Sequence, residues 1–328
     1  MKQRRPVYYD RFTCLGGSCP DSCCQMWDIQ VDEESAGRYL ALPGELGDRL
    51  RQVLVQDEDG YTLLQQEGRC PMWRTDGLCR IQKELGEEAL CRVCSRFPRL
   101  QHEYDGLTEW GLELSCPEAA RLILSDADGA LIETGEDAAK EETLALLETA
   151  RTEAFRLLCD RTYPVQKRLA LLLLYAYQVQ EVLDGGEGRN FAPEQALESA
   201  CAFAQGGNLS EIFRFYRSLE LLTPQWAKRL EQAPVTPVWT EEHAALARYF
   251  VLRYWLQAAS DYDLVGRVKF LLSSCLAIAA LGEDVQQTAQ LYSKEIENDI
   301  DNVDALLDAA YGHPAFTDCS LLSLLLTE

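Results

Sequence analysis

The chain has 328 residues, 47% of them hydrophobic, and a formal net charge of −22. This length and composition allow two folded domains with buried cores and exclude a disordered protein. The acidic balance argues against a nucleic-acid-binding protein, because neutralising phosphates requires clustered Lys and Arg. An acidic surface suits a basic protein partner or serves solubility alone.

The opening segment, MKQRRPVYYD, is basic but lacks the apolar stretch and small-residue cleavage site of a secretory signal. The longest uninterrupted apolar run, residues 169–176, is much shorter than the roughly 18 residues of a membrane span. We therefore predict a soluble, cytoplasmic protein with no membrane partner. Disulfides are disfavoured in that reducing compartment.

The first predicted elements along the chain are short strands. Residues 27–31 (WDIQV) alternate like a strand, and residues 61–64 form a second candidate. Asp32 is placed to cap a helix that starts directly after the first of these strands. The pattern predicts a small α+β unit in this part of the chain.

A hairpin is predicted between residues 100 and 114. Two short runs flank Asp105 and Gly106, a dipeptide that favours a tight turn because both residues tolerate a positive φ. Pro117 then opens a helix immediately after Cys116, since proline is well tolerated at the first helical position.

The composition changes near residue 125 from cysteine-rich to long, charged and helical in period. We place a domain boundary near 135, within a junction at residues 125–137, and predict a cysteine-rich domain at 1–135 and a helical domain at 136–328. The fold class is then mainly α: an α+β metal-binding domain with short strands, followed by a helical bundle or array. The predicted helices cover residues 136–160, 164–183, 193–204, 209–221, 241–259, 264–281 and 284–307.

Nine of the thirteen cysteines lie before residue 117, which is denser than packing requires. They are Cys14, Cys19, Cys23, Cys24, Cys70, Cys79, Cys91, Cys94 and Cys116. Clustered thiolates are soft ligands for zinc or iron–sulfur centres, so the pattern predicts a metal site without specifying the metal. The four isolated cysteines of the helical part are predicted to be buried packing residues, namely Cys159, Cys201, Cys275 and Cys319.

Cys23 and Cys24 are adjacent in sequence. Neighbouring side chains point to opposite faces of a strand and diverge by about 100° on a helix, so they seldom bind the same centre. Two alternatives follow: two centres lie close together, or one sulfur is a ligand while the other packs. The number of thiols would suffice for two four-ligand sites.

Histidine contributes little to the predicted site. Only His102 lies in the cysteine-rich part, where we expect it at the surface or in the hairpin. A nearly all-sulfur site favours structural zinc or an iron–sulfur cluster over a histidine-rich catalytic zinc. No P-loop, GxSxG or HExxH motif occurs, nor the C-x3-C-x2-C spacing of radical S-adenosylmethionine enzymes.

Several longer segments carry a family resemblance. They are YDRFTC at residues 9–14, CPDSCC at 19–24 with Trp27, Cys70-Pro71, GLCRIQKELG at 77–86, CSRFPR at 94–99, LSCPEAAR at 114–121, NVDALL at 302–307 and PAF at 314–316. Together they resemble the flagellin lysine N-methylases. The cysteine segments are also similar to a broader group of putative zinc- or iron-chelating proteins.

The resemblance implies methyl transfer from S-adenosylmethionine to lysine side chains of flagellin, with an iron–sulfur cluster, expected to be of the 4Fe–4S type, held by family cysteines; zinc is the alternative metal. The matching ligand positions are Cys14, Cys19, Cys23, Cys24, Cys70, Cys79, Cys94 and Cys116. Cys91 departs from the family pattern and is expected beside the centre. The resemblance specifies neither the S-adenosylmethionine site nor the oligomeric state.

The catalytic residues are not assigned. The chain lacks the Gly-rich turn after a first strand that conventional methyltransferases carry. Lysine methylation needs the neutral amine, so the site must desolvate the substrate or supply a base. Side chains placed only by sequence position to contribute are Tyr8, Tyr9, Asp28, Tyr104 and Glu113. Two non-enzymatic alternatives stay open: a metal module that staples a small domain, and an electron-transfer or redox-sensing protein.

Overall fold

The computed structural model of the chain describes residues 1–25, 27–58, 60–136, 141–232, 236–282 and 284–326. Helices dominate, and short strands occur before residue 135. The prediction of a mainly α chain with short strands in its first part is therefore confirmed.

The strands form two small sheets. The strands are β1 Lys2–Pro6, β2 Ile29–Val31, β3 Leu54–Asp57, β4 Gly60–Leu63, β5 Arg99–Tyr104, β6 Leu107–Leu112 and β7 Leu131–Thr134. One sheet has the order β5-β6-β1-β7, with β1 parallel to β6 and antiparallel to β7. The other is antiparallel, with the order β2-β4-β3.

The helices run through the rest of the chain. They are α1 Glu33–Ala41, α2 Gly44–Val53, α3 Arg80–Leu85, α4 Arg92–Arg96, α5 Pro117–Leu124, α6 Glu142–Cys159, α7 Val165–Leu183, α8 Pro193–Phe203, α9 Leu209–Tyr216, α10 Pro224–Gln232, α11 Glu241–Tyr254, α12 Ala258–Asp261, α13 Leu264–Leu281, α14 Val285–Tyr292, α15 Ile300–Gly312 and α16 Asp318–Leu326. Short 3-10 turns cover Val7–Arg11, Gly16–Ser18, Glu87–Ala89, Trp255–Gln257 and Pro314–Phe316, and a π-helical turn covers Ser293–Glu297.

The predicted hairpin is confirmed as β5 and β6, joined by a two-residue turn with Tyr104 opposite Leu107. Gly106 has a φ of +72°, whereas Asp105 does not take a positive φ. The expectation that both turn residues use their tolerance of positive φ is therefore wrong for Asp105. Glycine alone supplies the left-handed conformation here, because it has no Cβ to clash.

The first helix begins as predicted. Asp32 is the N-cap of α1, and its Oδ1 accepts a hydrogen bond of 3.0 Å from the Ser35 amide. Its Oδ2 also accepts a 2.8 Å bond from the Arg92 amide at the start of α4. One carboxylate thus satisfies free amides of two helices, which fixes their relative position.

A large hydrophobic core lies among the helices, with α13 at its centre. Every residue of α13 is buried. This helix is long and apolar enough to cross a membrane, but it is wholly enclosed by the fold, as a core helix of a soluble protein is. Its two buried cations pair with carboxylates nearer the surface, Lys269 with Asp318 at 2.8 Å and Arg267 with Asp261 at 2.8 Å.

A second, smaller core is formed by residues between 29 and 91, including Ile29, Leu50, Met72 and Cys91. The large core includes Tyr8, Phe12, Leu107 and Leu112 as well as the helices after residue 140. The strand β1 and the hairpin therefore pack with the helical body although they precede residue 135. The domain boundary at 135 stays a prediction.

Four predicted helices differ from the observed ones by more than a residue or two. The first, 136–160, begins at Glu142 as α6, and residues 137–140 of that prediction lie outside the described residues. The second, 209–221, ends at Tyr216, and the third, 241–259, is interrupted by Trp255–Gln257. Trp255 is buried there and donates from Nε1 to the Leu147 carbonyl at 3.0 Å.

The predicted helix 284–307 is interrupted by the π-helical turn. Its buried Glu295 accepts bonds from the Leu222 and Thr223 amides at 2.9 and 3.3 Å. Glu297 accepts bonds from Tyr249 and Tyr254 at 3.0 and 2.9 Å. Because both carboxylates must be satisfied inside the core, the helix changes its register at this point. The helices α2, α3, α4, α10 and α16 were not predicted.

Candidate cysteine-rich metal centre

All thirteen cysteines are free thiols. Of the nine early cysteines, Cys70, Cys91 and Cys116 are buried, and only Cys14 and Cys23 are exposed as residues. The fold brings the nine together from segments far apart in sequence. Two neighbouring sets can be distinguished by the electrostatic effect that each thiol exerts on the others.

The first thiol group contains the cysteines around the smaller core. It consists of Cys23, Cys24, Cys70, Cys79, Cys91 and Cys94. Burial, with the charges of Cys79, Cys91 and Cys23, raises the pKa of Cys70 to about 11. The pKa of Cys79 is raised for the same first reason, burial, with Cys23 and Cys91 adding to it. These thiols lie close enough to disfavour one another's ionisation.

The second thiol group consists of Cys14, Cys19 and Cys116. Burial raises the pKa of Cys116 to about 11, and Cys19 and Cys14 contribute to that rise. Cys19 is in turn influenced by Cys14 and by Cys23. Cys23 therefore stands between the two groups.

Helix starts position three of these sulfurs. Cys79, Cys91 and Cys116 are the N-cap residues of α3, α4 and α5. Neither Cys79 nor Cys116 makes a side-chain capping hydrogen bond, but the backbone amides of the following residues partly oppose the rise that burial causes in their pKa values. The first amides of a helix have no internal partners, so they favour a negatively charged sulfur beside them.

Cys91 is the N-cap of α4, and Cys94 lies one turn further along the helix. The interaction of the two thiols lowers the pKa of Cys91 to about 7 and raises that of Cys94. The expectation that Cys91 lies beside the centre agrees with its position in the first thiol group. Whether it binds metal stays a prediction.

Cys23 and Cys24 lie in a turn, and the neighbouring Cys24 thiol raises the pKa of Cys23. Whether the two bind different centres, or one binds metal while the other packs, stays a prediction. The Cys70 amide donates to the Cys24 carbonyl at 2.8 Å. This backbone bond brings the loop containing Cys70 against the Cys23–Cys24 turn.

No three or more His, Cys, Asp or Glu side chains within the described ranges are arranged to hold one metal ion. The thiols are therefore gathered but do not surround a common point. The sulfur-only donor set fits a soft metal or an iron–sulfur cluster. The eight predicted ligand positions stay a prediction.

One face of α14 and of the π-helical turn that follows it connects the helical body to the cysteine segments. We call Gln286, Gln290 and Lys294 the α14 stripe, since they recur every four residues. Gln290 Nε2 donates to Asp21 Oδ2 at 2.6 Å and to the Ser115 carbonyl at 3.0 Å.

The other two members of the α14 stripe complete this connection. Gln286 Nε2 donates to the Pro117 carbonyl at 3.2 Å. Lys294 forms an ion pair with Asp21, which lies between Cys19 and Cys23. Burial alone would raise the pKa of Asp21, but the hydrogen bond and charge of Lys294 lower it. Sequence analysis missed this stripe; its only signal was three polar residues at a helical spacing.

The side chains considered as catalytic candidates occupy different places. Tyr8 is buried in the large core, and burial raises the pKa of its hydroxyl. Tyr9 packs against Trp110 with ring centroids 6.2 Å apart. Asp28 Oδ1 accepts a 2.7 Å bond from the Gln65 amide, which is a structural role. The structure does not bring these three to one reacting point.

Glu113 and Tyr104 lie nearer to buried polar groups. Burial raises the pKa of Glu113, although Arg253 partly opposes the rise. The hydroxyl of Tyr104 is buried and has no hydrogen-bond partner. His102, stacked on Tyr104 at 6.5 Å, lies in the hairpin as expected but is largely shielded from solvent, and burial lowers its pKa. The expectation of a hairpin residue is thus confirmed.

The isolated cysteines of the helical part differ from one another. Cys275 is buried in α13, as predicted. Cys201 is exposed on α8, so the prediction of a buried packing residue is wrong there. Cys159 and Cys319 are partly buried. Cys201 lies on the side of α8 that faces away from the core, where helical periodicity alone did not place it.

Comparison with known proteins identifies the relatives of this chain. A lysine-N-methylase of Salmonella typhimurium is 36% identical over 130 residues, which are 38% of this chain and 32% of that protein. A lysine-N-methylase of Salmonella choleraesuis is 35% identical over 130 residues with the same shares. The flagellar biosynthetic protein FliU of Salmonella muenchen is 35% identical over 130 residues, covering 77% of its length.

The match spans about a third of the length of the two lysine-N-methylases. No family model matches the chain, and no solved structure matches it. The match to FliU covers most of that relative at an identity that indicates common descent. The chain belongs to the flagellin lysine N-methylase family.

Proposed function

We propose that the protein is a protein-lysine N-methyltransferase that acts on flagellin, uses S-adenosylmethionine and holds an iron–sulfur cluster on its cysteines. The observation that carries the proposal is the identity of 35–36% to proteins named lysine-N-methylase and FliU. The gathering of the early thiols into two neighbouring groups supports the cluster.

The proposed ligands come from both thiol groups. They are Cys14, Cys19, Cys23, Cys24, Cys70, Cys79, Cys94 and Cys116. A bound cluster would supply a soft, redox-active centre and would hold these loops together. Positive charge at the centre would reverse the raised thiol pKa values, because a coordinated sulfur is deprotonated. Since no three ligands now surround one point, loading would draw the cysteine loops inward.

The chemistry requires a neutral substrate amine. The Nζ lone pair of the target lysine attacks the methyl carbon of the sulfonium donor, the carbon–sulfur bond breaks, and a thioether leaves. The amine must lose one proton before attack, because an ammonium has no lone pair. The protein can assist by desolvating the amine, which lowers its pKa, or by accepting its proton.

The net charge of −22 suits a lysine-bearing protein partner. Electrostatic attraction of this kind acts over roughly 10 Å at 0.1 M salt, and this distance shortens as the salt concentration rises. We propose a cytoplasmic location, consistent with the complete burial of α13. Nucleic acid and membrane are not proposed as partners.

The experiment uses protein purified without oxygen and incubated with S-adenosylmethionine and flagellin. We expect mass increments of about 14 Da on flagellin lysines. Cys94→Ser, in the first thiol group, is expected to abolish them, whereas Cys201→Ser, at an exposed cysteine, is expected to retain them. Absence of increments with wild-type protein that carries its full metal content would contradict the proposal.

A metal module without enzymatic activity is the second candidate. The smaller core favours it, because Cys70 and Cys91 occupy core positions that apolar side chains would otherwise fill. A third candidate, a redox protein, is favoured by the closely spaced Cys91 and Cys94 pair and the lowered pKa of Cys91. Absorption near about 400 nm would indicate iron–sulfur. Colourless protein containing zinc, inactive on flagellin, would favour the module.

A further inference from the structure

A wide cleft lies between the cysteine segments and the helical body. Its volume is about 560 Å³, and it is open to solvent. Pro20 and Asp21 form its wall on the cysteine side, and Pro117 lies beside them directly after Cys116. Ligand pockets are usually about 300–1000 Å³. The cleft is therefore large enough for a nucleoside joined to an amino acid.

The opposite wall is rich in side-chain amides. Gln286, Gln287 and Gln290 from α14 line it, and Gln225 faces them from the first turn of α10. The Gln290 amide already donates to Asp21 and Ser115, and the Gln287 carbonyl accepts from Arg229. Gln225 and Gln286 can each still donate and accept, which matches the edge of an adenine ring. Pro117, Pro224 and Leu291 add apolar surface on which a planar base can lie. The wall thus combines the two kinds of contact that a purine needs.

The charges of the wall favour a cationic ligand. Lys294 is the basic residue among the described lining, and its charge is neutralised by an ion pair with Asp21. Asp284 lies exposed at the rim, where its Oδ1 caps α14 through the Gln287 amide at 2.9 Å. After the Asp21–Lys294 pair is set aside, the carboxylate of Asp284 gives the wall a net negative charge.

The cleft also borders the thiols. Asp21 lies two residues from both Cys19 and Cys23, and Lys294 is near enough to Cys23 to lower its pKa against the larger effects that raise it. The α14 stripe thus holds the cysteine segments on one side and lines the cleft on the other. A ligand in the cleft would lie next to the predicted centre.

We propose that this cleft binds the methyl donor, an adenine nucleoside carrying a sulfonium. The proposal rests on the proposed methyltransferase function, which requires a methyl electrophile. The amides of Gln225 and Gln286 contact the base, the proline faces support it, and Asp284 attracts the cation. The methyl group then lies on the side of the cleft nearest the cysteine loop.

The test fills the cleft from its exposed wall. Gln225→Trp places a large ring in the cleft at a side chain that is exposed, so the fold is expected to tolerate it. Gln232→Trp is the matched control, because it makes the same change at the exposed last residue of the same helix, outside the lining. Binding of S-adenosylmethionine and of S-adenosylhomocysteine to the metal-loaded protein is measured by titration calorimetry.

We expect Gln225→Trp to weaken binding by about tenfold or more and Gln232→Trp to leave it unchanged. Asp284→Asn serves as a second variant, since Asn caps a helix as well as Asp does but carries no charge. This variant is expected to bind S-adenosylmethionine severalfold more weakly than the wild type. Full binding by folded Gln225→Trp and by Asp284→Asn would overturn the proposal.

The outcomes separate this proposal from the proposed function. If wild type and Gln225→Trp both methylate flagellin with the same KM for the donor, the donor binds elsewhere and the methyltransferase function stands. If wild type binds no donor and methylates nothing, both proposals fail. The cleft is supported as the donor site if Gln225→Trp loses donor binding, Gln232→Trp keeps it, and the two variants have the same unfolding midpoint.

Discussion

The two hydrophobic cores contain different kinds of side chains. The large core encloses α13 on all sides and includes Trp226, Trp255, Phe250 and Phe270. The smaller core, between residues 29 and 91, includes the thiols Cys70 and Cys91 among its buried side chains. A large core is held by the burial of apolar area, whereas a small one often needs a staple such as a metal. The comparison indicates that the two regions depend on different forces.

Their buried polar groups differ in the same way. In the helical body, Glu109 is held by Arg4 and Arg151, and Glu297 by tyrosines and Arg253. In the cysteine region the buried polar groups are thiols that raise one another's pKa values. The two carboxylates are paired by groups of the fold itself. The thiols, by contrast, would be stabilised in their deprotonated form by a bound cation.

Metal removal should produce the largest effect and should show most clearly that the two regions differ in what stabilises them. We expect that anaerobic chelation increases hydrogen exchange strongly across residues 29–91 and leaves α13 protected, since metal binding can contribute about 10–16 kcal/mol in small structural sites. Mass spectrometry of amide exchange measures it. Equal protection in both regions with and without metal would contradict the comparison.

Glu109→Ala tests the helical body. Glu109 on β6 accepts bonds from Arg4 at 3.1 Å and Arg151 at 2.8 Å and is buried. Its loss leaves two buried guanidinium groups without this partner, which should cost about 3–5 kcal/mol. Glu133→Ala is the control, because this other partner of Arg4 is half-exposed and should cost about 1 kcal/mol or less. Urea unfolding gives both values, and equal losses would refute the argument.

Lys294→Met tests the connection between the regions. It keeps the aliphatic stem but leaves Asp21 without its cation, at an expected cost of about 1–3 kcal/mol concentrated in the cysteine loop. Alkylation of Cys19 and Cys23 should therefore become faster, while Cys201 reacts at an unchanged rate. Quantitative thiol labelling followed by peptide mass spectrometry measures this. Unaltered labelling would show that the α14 stripe does not position the loop.

Asp32→Ala should have the smallest effect. The carboxylate caps α1 and contacts α4, so its loss should cost about 1 kcal/mol at pH 7. The backbone bond from Arg92 lowers the pKa of Asp32 to about 2, below its unfolded value of about 3.9. Its contribution is thus present above pH 4 and is lost as pH falls through 2. Thermal unfolding of wild type and variant should converge at low pH; a constant difference would contradict this.

Local signals predicted several elements because short-range physics decides them. Asp32 before an amphipathic run specified the start of α1, and Asp105-Gly106 specified the hairpin. The spacing of the early cysteines also predicted that their thiols would gather. By contrast, the break at Ser293–Glu297 was missed, because it depends on Tyr249 and other groups far away in sequence.

The sequence by itself determined the helical class, the family and the concentration of thiols in the first third, since periodicity and spacing are local properties. Only the tertiary structure decided that β1 and the hairpin pack with the helices, that Cys23 stands between two thiol groups, and that α14 holds the loop containing Asp21. These features join residues more than 100 positions apart. Their energy comes from burial and charge pairing, which exist only once the chain has folded.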